Sequence, residues 1–188
     1  MLHRLKEYRK YVEITGFRSL HICEPRELSG TISHRLPSNC EIQFFDADIV
    51  ATWQHLYFAT VNALMARRNH CNLSKSLAVE IVLYASAQRQ IKKALDRIGL
   101  KQNSENVAVV IVCPAKKSAD AGLETTAKFL KSNPDDSVLE LTHAKTQRIC
   151  EVFDIKQEEL EAISARGDPD KALIDLVMER VALLSTKI

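Results

Sequence analysis

An unbroken apolar run, NVAVVIVC from Asn106 to Cys113, constrains the fold more than any other segment of the chain. It shows no polar alternation, and Pro114 follows it directly. Such a run is typical of a strand that lies at the centre of a sheet and is buried on both faces. The sequence therefore predicts a sheet with this strand at its centre and with helices covering both sides.

Three other segments are predicted to be strands of the same sheet. Tyr11 to Leu20 and Cys40 to Phe45 are rich in β-branched and aromatic residues, while Ser137 to Leu141 alternates between polar and apolar residues. Together with the central run they would form a small sheet of about four strands.

Apolar residues at helical spacing predict several helices around this sheet. The first would begin near Asp46 or Asp48, either of which can cap a helix, and end at Arg67 and Arg68. Later helices are predicted near Ala119 to Lys131, Ala144 to Phe153, Gln157 to Ala165 and Asp170 to Ser185.

The fold class expected from this pattern is mixed α/β (α+β), with a small central sheet of about four strands covered by several helices. We expect one domain over residues 1–188, since the chain has 188 residues and no linker rich in Gly, Ser or Pro. Residues 24–39 are predicted to be a loop or an insertion.

A further helical segment, capped by Asn72 or Ser74 and ending at Gly99, is predicted either as one helix or as two helices broken near Ser86. Its residues Glu80 to Leu100 carry two unlike faces. One is an apolar stripe of residues that return to one side of a helix, namely Leu77, Ile81, Tyr84, Ile91, Leu95 and Ile98.

The opposite face of this segment is basic and carries an amide. Arg89, Gln90, Lys92, Lys93 and Arg97 offer cations and hydrogen-bond donors without an acid or a nucleophile. With Arg67, Arg68 and Lys75 they could meet the phosphates of an RNA, and Tyr57 or Tyr84 could stack on an unpaired base. The alternative is an ordinary solvated helix surface, which the spacing alone favours.

Composition limits what else the chain can do. A net charge of +2 is too small for a protein that coats nucleic acid by charge alone, so any RNA contact must be local. No window is apolar enough to span a membrane and no signal peptide is seen, so a cytoplasmic protein with no membrane contact is expected. The cysteines, which include no CxxC pair, are interpreted as ordinary thiols, with no metal site: Cys23, Cys40, Cys71, Cys113 and Cys150.

Catalytic motifs are missing from the sequence. It contains no glycine-rich phosphate loop, HExxH or GxSxG, and no cofactor is implied. His70 and Cys71 are sequence neighbours, an arrangement that rarely forms a catalytic pair. One alternative stays open, a small enzyme or ligand-binding domain with a pocket near His55 and Glu80.

Several segments resemble one known family, the small TPRKB-type subunit, also called archaeal CGI-type, of the KEOPS (EKC) complex. The resemblance rests on FFDADIVATWQH at Phe44 to His55, ASAQRQIKKALDRIG at Ala85 to Gly99, the strand NVAVVIVC, DDSVLEL from Asp135 and RVALL from Arg180. It covers most of the chain from residue 41 onward. Family members commonly carry glycine where Ala87 stands, a position at which glycine permits a left-handed backbone.

The resemblance implies a non-catalytic subunit that binds the PRPK-like kinase/ATPase of KEOPS and the 3′ CCA end of tRNA. The complex makes threonylcarbamoyladenosine next to the tRNA anticodon. By the same resemblance, the kinase-binding surface would consist of Ile98, Leu100, Val181, Leu183 and Leu184. The apolar spacing of the last helix also allows Val181 and Leu184 to be buried in the protein's own core, which makes Leu183 the better candidate. A protein adaptor without RNA contact is a further alternative, and a homodimer is possible when the kinase is absent.

Overall fold

A computed structural model describes residues 1–18, 22, 24–164 and 167–186. The chain folds into two compact units. Unit 1 comprises Met1–Ala47 and Gly99–Leu139, and unit 2 comprises Asp48–Ile98 and Glu140–Ile188. The mixed α/β class with a four-stranded sheet is confirmed.

Unit 1 contains the whole sheet. Its strands are β1 (Leu2–Leu5), β2 (Lys10–Phe17), β3 (Glu41–Asp46) and β4 (Val107–Cys113). They lie in the order β1-β2-β4-β3, and every neighbouring pair is antiparallel. All seven residues of β4 are buried, so the prediction of a central strand at Asn106 to Cys113 is confirmed.

The other strand predictions had mixed outcomes. β2 and β3 confirm strands in Tyr11 to Leu20 and in Cys40 to Phe45, although Leu20 lies outside the described residues. The strand predicted at Ser137 to Leu141 is wrong, because Asp136–Leu139 form a 3-10 turn. Val138 and Leu139 are buried within that turn, so alternating polarity arose without a strand. β1 was not predicted.

The loop predicted for residues 24–39 is wrong for most of the segment. Pro25–Ser33 form a helix, α1, with proline in its first turn. Leu28 and Ile32 on α1 are buried in the same hydrophobic cluster as β4 residues Val109 and Ile111. Contacts with the sheet therefore stabilise a helix whose own residues predict it poorly.

The interpretation of all cysteines as free thiols is also wrong. Cys40 and Cys113 form a disulfide that closes a sequence separation of 73 residues. The register of β3 and β4 explains the pairing, because Glu41 lies opposite Val112 and the next positions outward are Cys40 and Cys113. Cys71 and Cys150 are free, and Cys23 lies outside the described residues.

The remaining helix of unit 1 is α5 (Lys116–Leu130). Unit 2 is helical in its described part, with α2 (Trp53–Arg68), α3 (Leu77–Ala85), α4 (Ile91–Ile98), α6 (His143–Phe153), α7 (Gln157–Ser164) and α8 (Pro169–Ala182). None of the helices described has the length and apolar character needed to cross a membrane.

The predicted caps of two helices are corrected. Asp46 and Asp48 do not cap α2, since Ala47–Ile49 form a 3-10 turn and Thr52 occupies the N-cap position. Ser76 caps α3 by accepting a hydrogen bond from the Val79 N–H, in place of Asn72 or Ser74. The break near Ser86, which the sequence left open, divides this segment into α3 and α4.

Candidate functional site

Helices α2 and α3 of unit 2 pack against each other in opposite directions. The imidazole of His55, in the first turn of α2, bonds through Nε2 to the Ala85 carbonyl at the last residue of α3, at 2.8 Å. The beginning of α2 and the turn from α3 to α4 therefore lie at one end of this helix pair. Arg67, Arg68 and Lys75 lie at the opposite end, where α2 ends and α3 begins.

His55 is wholly buried and both of its ring nitrogens are used. Nδ1 accepts a hydrogen bond from the Ala51 N–H at 3.4 Å, which leaves the proton on Nε2 for the Ala85 carbonyl. Burial and, to a smaller extent, the charge of Lys145 lower the pKa of His55 to about 4, although the hydrogen bond to the Ala85 carbonyl partly opposes them. The ring is neutral near pH 7 and has no exposed surface for a ligand.

Glu80, like His55, has a structural role. Its side chain is wholly buried, and its two carboxylate oxygens accept hydrogen bonds from the N–H groups of Leu73 (3.1 Å) and Ser74 (2.7 Å). These bonds hold the loop before α3 against the helix. The alternative of a ligand pocket near His55 and Glu80 therefore loses both of the groups on which it depended.

The end of α3 is a Schellman turn. The Ala87 N–H donates to the Tyr84 carbonyl at 2.9 Å, and the Gln88 N–H donates to the Leu83 carbonyl at 3.0 Å. Ala87 adopts a left-handed backbone with φ of 52°, a conformation that glycine adopts without strain. The backbone expected for a glycine is thus present, with an alanine in it.

Arg97, predicted as an RNA contact, is used inside unit 2. Its Nη1 donates to the Ser86 carbonyl at 3.1 Å, and its guanidinium also donates to the Gln88 side-chain oxygen in the amide orientation that satisfies both groups. The guanidinium lies 5.8 Å from the centre of the Phe153 ring. Burial lowers the pKa of Arg97, and the charge of Asp154 opposes this effect. Arg97 fixes α4 against the end of α3.

Four other residues predicted to bind RNA are exposed at the beginning of α4. Arg89 and Gln90 end the turn, and Lys92 and Lys93 lie in the first turn of the helix. The three cations among them, Arg89, Lys92 and Lys93, have no carboxylate partner in the described part of the chain. The α3–α4 cation cluster, defined as Arg89, Gln90, Lys92 and Lys93, is therefore available to an anionic partner.

The aromatic residues proposed for base stacking differ in accessibility. Tyr84 is buried, and its pKa is raised chiefly by that burial, with Arg89 acting in the opposite direction, so its ring is not a stacking platform. Tyr57 is half-buried and packs edge-on against Trp53, with ring centres 6.1 Å apart. This pair lies on the first turns of α2, at the same end of the helix pair as the α3–α4 cation cluster.

The structure does not bring all the predicted basic residues into one group. Lys75 precedes α3 and Arg89 follows it, so they are separated by about the length of a nine-residue helix, roughly 13 Å. Arg68 and Lys75 are exposed, and Arg67 is half-buried. They form a second basic group. One RNA strand can contact both this group and the α3–α4 cation cluster only if it extends along α3.

Three of the five residues expected to bind the kinase are buried. Ile98, Val181 and Leu184 are at most 2% exposed, so they belong to the protein interior. Leu100 is half-buried against the hydrophobic cluster of unit 1. Leu183, at 39% exposed, is the member of the set that a partner can reach directly.

Two members of the predicted apolar stripe are exposed. Ile91 and Leu95 lie four residues apart on α4 and are 46% and 42% exposed, whereas the other members of the apolar stripe predicted from the sequence are buried. The stripe is interrupted because the turn from Ser86 to Gln90 separates α3 from α4.

Other chemistry is limited in the described residues. No group of three His, Cys, Asp or Glu side chains there could hold a metal ion. His70 has a left-handed backbone in the loop after α2, and the Cys71 thiol donates to the Asn69 carbonyl at 3.3 Å. Neither observation supports a catalytic pair.

Comparison with known proteins agrees with the resemblance seen in the sequence. A family model described as kinase binding protein CGI-121 matches residues 24–185. The chain is also 29% identical over 147 residues to the regulatory protein Cgi121 of Methanocaldococcus jannaschii, a match that covers 78% of this chain and 85% of that protein. The family match extends over far more than half of the sequence. The chain belongs to the CGI-121 family of kinase-binding proteins.

Proposed function

We propose that this protein is a non-catalytic accessory subunit of a KEOPS-type complex, which binds a PRPK-like kinase/ATPase and the 3′ CCA end of tRNA. In this role it supports threonylcarbamoyladenosine modification of tRNA next to the anticodon, in the cytoplasm. Membership of a kinase-binding family is the observation that carries the proposal. The burial of His55 and Glu80 supports a binding role over an enzymatic one.

The kinase contact is best served by exposed apolar side chains. Leu183 follows α8, while Ile91 and Leu95 lie on α4, and all three are more than a third exposed. Exposed residues of this kind have interaction energy to gain when a partner covers them. We assign the kinase-binding surface to these residues, with Ile98, Val181 and Leu184 supporting it from within.

Charge substitutions at the surface test this assignment. Leu183→Glu and Leu95→Glu are each expected to weaken binding of a purified PRPK-like kinase at least tenfold, since a carboxylate would be buried at the contact. Ile163→Glu is the matched control, because Ile163 is similarly exposed, on α7. Circular dichroism and thermal unfolding verify that each variant is folded. Unchanged affinity in both test variants would refute the assigned surface.

The RNA contact is supported by the α3–α4 cation cluster and by the aromatic pair Trp53 and Tyr57. A single-stranded tail is recognised by contacts to its phosphates, by stacking of its bases and by hydrogen bonds to base edges. Arg89, Lys92 and Lys93 supply cations, the Gln90 amide supplies both a donor and an acceptor, and Tyr57 supplies a half-buried ring. Arg97 supports this surface by fixing α4 rather than by touching RNA.

Binding of whole tRNA and of tRNA lacking its terminal CCA tests the RNA half. We expect whole tRNA to bind at least tenfold more tightly in a gel-shift titration. The difference should disappear in Arg89→Ala/Lys93→Ala and persist in Lys156→Ala/Lys171→Ala, which removes two exposed lysines elsewhere in unit 2. Equal affinity of the wild type for both tRNAs would reject tail recognition, and no binding to either would identify a protein adaptor.

A further inference from the structure

A strongly basic cleft lies in unit 1, among residues that the proposed function does not use. It has a volume of about 330 Å³, and the side chains that line it include Arg4, Lys6, Arg9, Lys10, Tyr11 and Lys116. The first five belong to the hairpin of β1 and β2, whose strands are joined through the 3-10 turn Lys6–Tyr8.

The sheet register brings these residues together. Arg4 lies opposite Tyr11 across β1 and β2, and Tyr11 lies opposite Cys113 at the end of β4. The chain leaves β4 through Pro114 and enters α5 at Lys116, so the beginning of that helix reaches the same cleft. Two separate parts of the sequence thus form one site.

The charge of the cleft is of one sign. Five of the described lining residues are Arg or Lys and none is acidic. Glu7 lies in the hairpin turn but does not line the cleft. In the part of the chain that the structure describes, none of the five cations has a carboxylate partner. Like charges this close repel one another, and a bound anion would relieve the repulsion.

The beginning of α5 adds backbone donors to the same place. Ala115, the N-cap residue, makes no side-chain cap, and the first turn contains no acidic residue. The first N–H groups of this 15-residue helix therefore have no side-chain acceptor at the cap, and the positive end of the helix dipole lies at the cleft. Such a terminus favours a phosphate group.

Tyr11 gives the cleft an aromatic wall. Its ring is half-buried, and the Arg4 guanidinium carbon lies 5.8 Å from the ring centre. Aromatic and guanidinium planes are the groups on which nucleic-acid bases stack in proteins. The volume of the cleft also falls at the lower end of the range for small-molecule sites, which is roughly 300 to 1,000 Å³.

We infer that this cleft is a binding site for a nucleotide, with the phosphate held by the cations and the beginning of α5 and the base placed against Tyr11. The nucleotide is either a free mononucleotide or one unit of an RNA strand. The inference does not depend on the proposed function, because the hairpin residues precede residue 24, where the family match begins, and the α3–α4 cation cluster belongs to the other unit.

Calorimetric titration of the full chain tests the site at low salt, with AMP, inorganic phosphate and a ten-residue oligoadenylate as probes. Lys6→Ala/Lys116→Ala is expected to weaken AMP binding at least tenfold. The matched control Lys101→Ala/Lys117→Ala removes two exposed lysines of unit 1 that do not line the cleft, and it should bind AMP as the wild type does. Tyr11→Leu should reduce the preference for AMP over phosphate.

The oligoadenylate arm identifies the source of the nucleotide. It is run in the Arg89→Ala/Lys93→Ala background, so that the α3–α4 cation cluster does not contribute. An RNA strand is indicated if the oligoadenylate binds tenfold more tightly than AMP. The slope of log K against log salt concentration should then fall in magnitude by roughly 1.4 when Lys6 and Lys116 are replaced by alanine. Affinity equal to that of AMP indicates a free nucleotide.

Three results would each overturn the inference: no AMP binding, equal losses in the test and control pairs, or inorganic phosphate binding as tightly as AMP. None of them bears on tail recognition, which is tested by tRNA with and without CCA and by substitutions in unit 2. Failure of the cleft and failure of the proposed function are therefore distinguishable.

Discussion

At the scale of single residues, His55 is a buried group whose protonation lowers stability. Its ring accepts from the Ala51 N–H and donates to the Ala85 carbonyl, so a second proton would remove the acceptor and place a charge in the interior. Lys145 adds to this cost, because its ammonium group is buried and is one cause of the lowered pKa of His55.

His55 predicts a loss of stability in mild acid. Its pKa is about 4 in the folded chain and near 6.5 when unfolded, so the unfolded state binds more protons between these values. The contribution of His55 to the free energy of unfolding is therefore fully present above pH 6.5 and is lost as the pH falls towards 4. The His55 contribution to the free energy of unfolding should be about 2 kcal/mol smaller at pH 5 than at pH 7.5.

Urea unfolding at both pH values measures this difference. His55→Gln keeps a donor for the Ala85 carbonyl but does not titrate, so its stability should change less between the two pH values than that of the wild type. The free energies of unfolding of the wild type and His55→Gln should differ most at pH 7.5, where His55 is neutral. An equal pH dependence in both would show that other groups cause it.

Ala87 predicts a gain in stability. A left-handed backbone costs an alanine about 1 kcal/mol relative to glycine, and Ala87 has a φ of 52°. Ala87→Gly should therefore raise the free energy of unfolding by up to about 1 kcal/mol, less the small loss of a buried methyl group. The control, Ala94→Gly in the interior of α4, should lower it by about 1 kcal/mol. Destabilisation by Ala87→Gly would contradict the strain argument.

At the scale of elements, the sequence predicted best where local composition and tertiary environment agree. Val107–Cys113 is apolar at every position and is buried at every position, so its pattern identified the central strand. α1 is the opposite case, because its stability comes from Leu28 and Ile32 packing in the core of unit 1. A weak local pattern cannot reveal a contact that another segment supplies.

The candidate site shows the same limit. Arg89, Lys92 and Lys93 could be predicted to be exposed because charged side chains are rarely buried. The exposure of Ile91 and Leu95 could not, since it depends on the turn after α3, which contains neither Gly nor Pro to signal a break. The apolar spacing of the last helix does separate Leu183 from Val181 and Leu184, and the burial of the latter two agrees with that spacing.

The disulfide between the end of β4 and the residue before β3 makes an element-scale prediction. Closing 73 residues of chain removes entropy from the unfolded state, worth about 4 kcal/mol in the chain-entropy account. A reductant should lower the free energy of unfolding by an amount of this order, measured in urea. Cys71→Ser/Cys150→Ser should respond as the wild type does, and Cys40→Ala/Cys113→Ala should not respond. An unaffected wild type would contradict a stabilising role.

At the scale of the whole molecule, a net charge of +2 means that attraction to RNA must come from local groups. The cations proposed to contact RNA form two sets, three in the α3–α4 cation cluster and three at the opposite end of α3, namely Arg67, Arg68 and Lys75. Counting bound phosphates therefore determines how much of this surface a tRNA tail covers.

The dependence of tRNA affinity on salt provides that count. Each phosphate contact on a single strand contributes about 0.7 to the slope of log K against log salt concentration. Contact with the α3–α4 cation cluster alone predicts a slope near −2, because three cations take part, whereas contact with both sets predicts a slope near −4. Arg89→Ala/Lys93→Ala should reduce the magnitude by roughly 1.4, and Lys156→Ala/Lys171→Ala should leave it unchanged. If both pairs reduce the slope equally, the attraction is diffuse, and the tail is not held at the turn between α3 and α4.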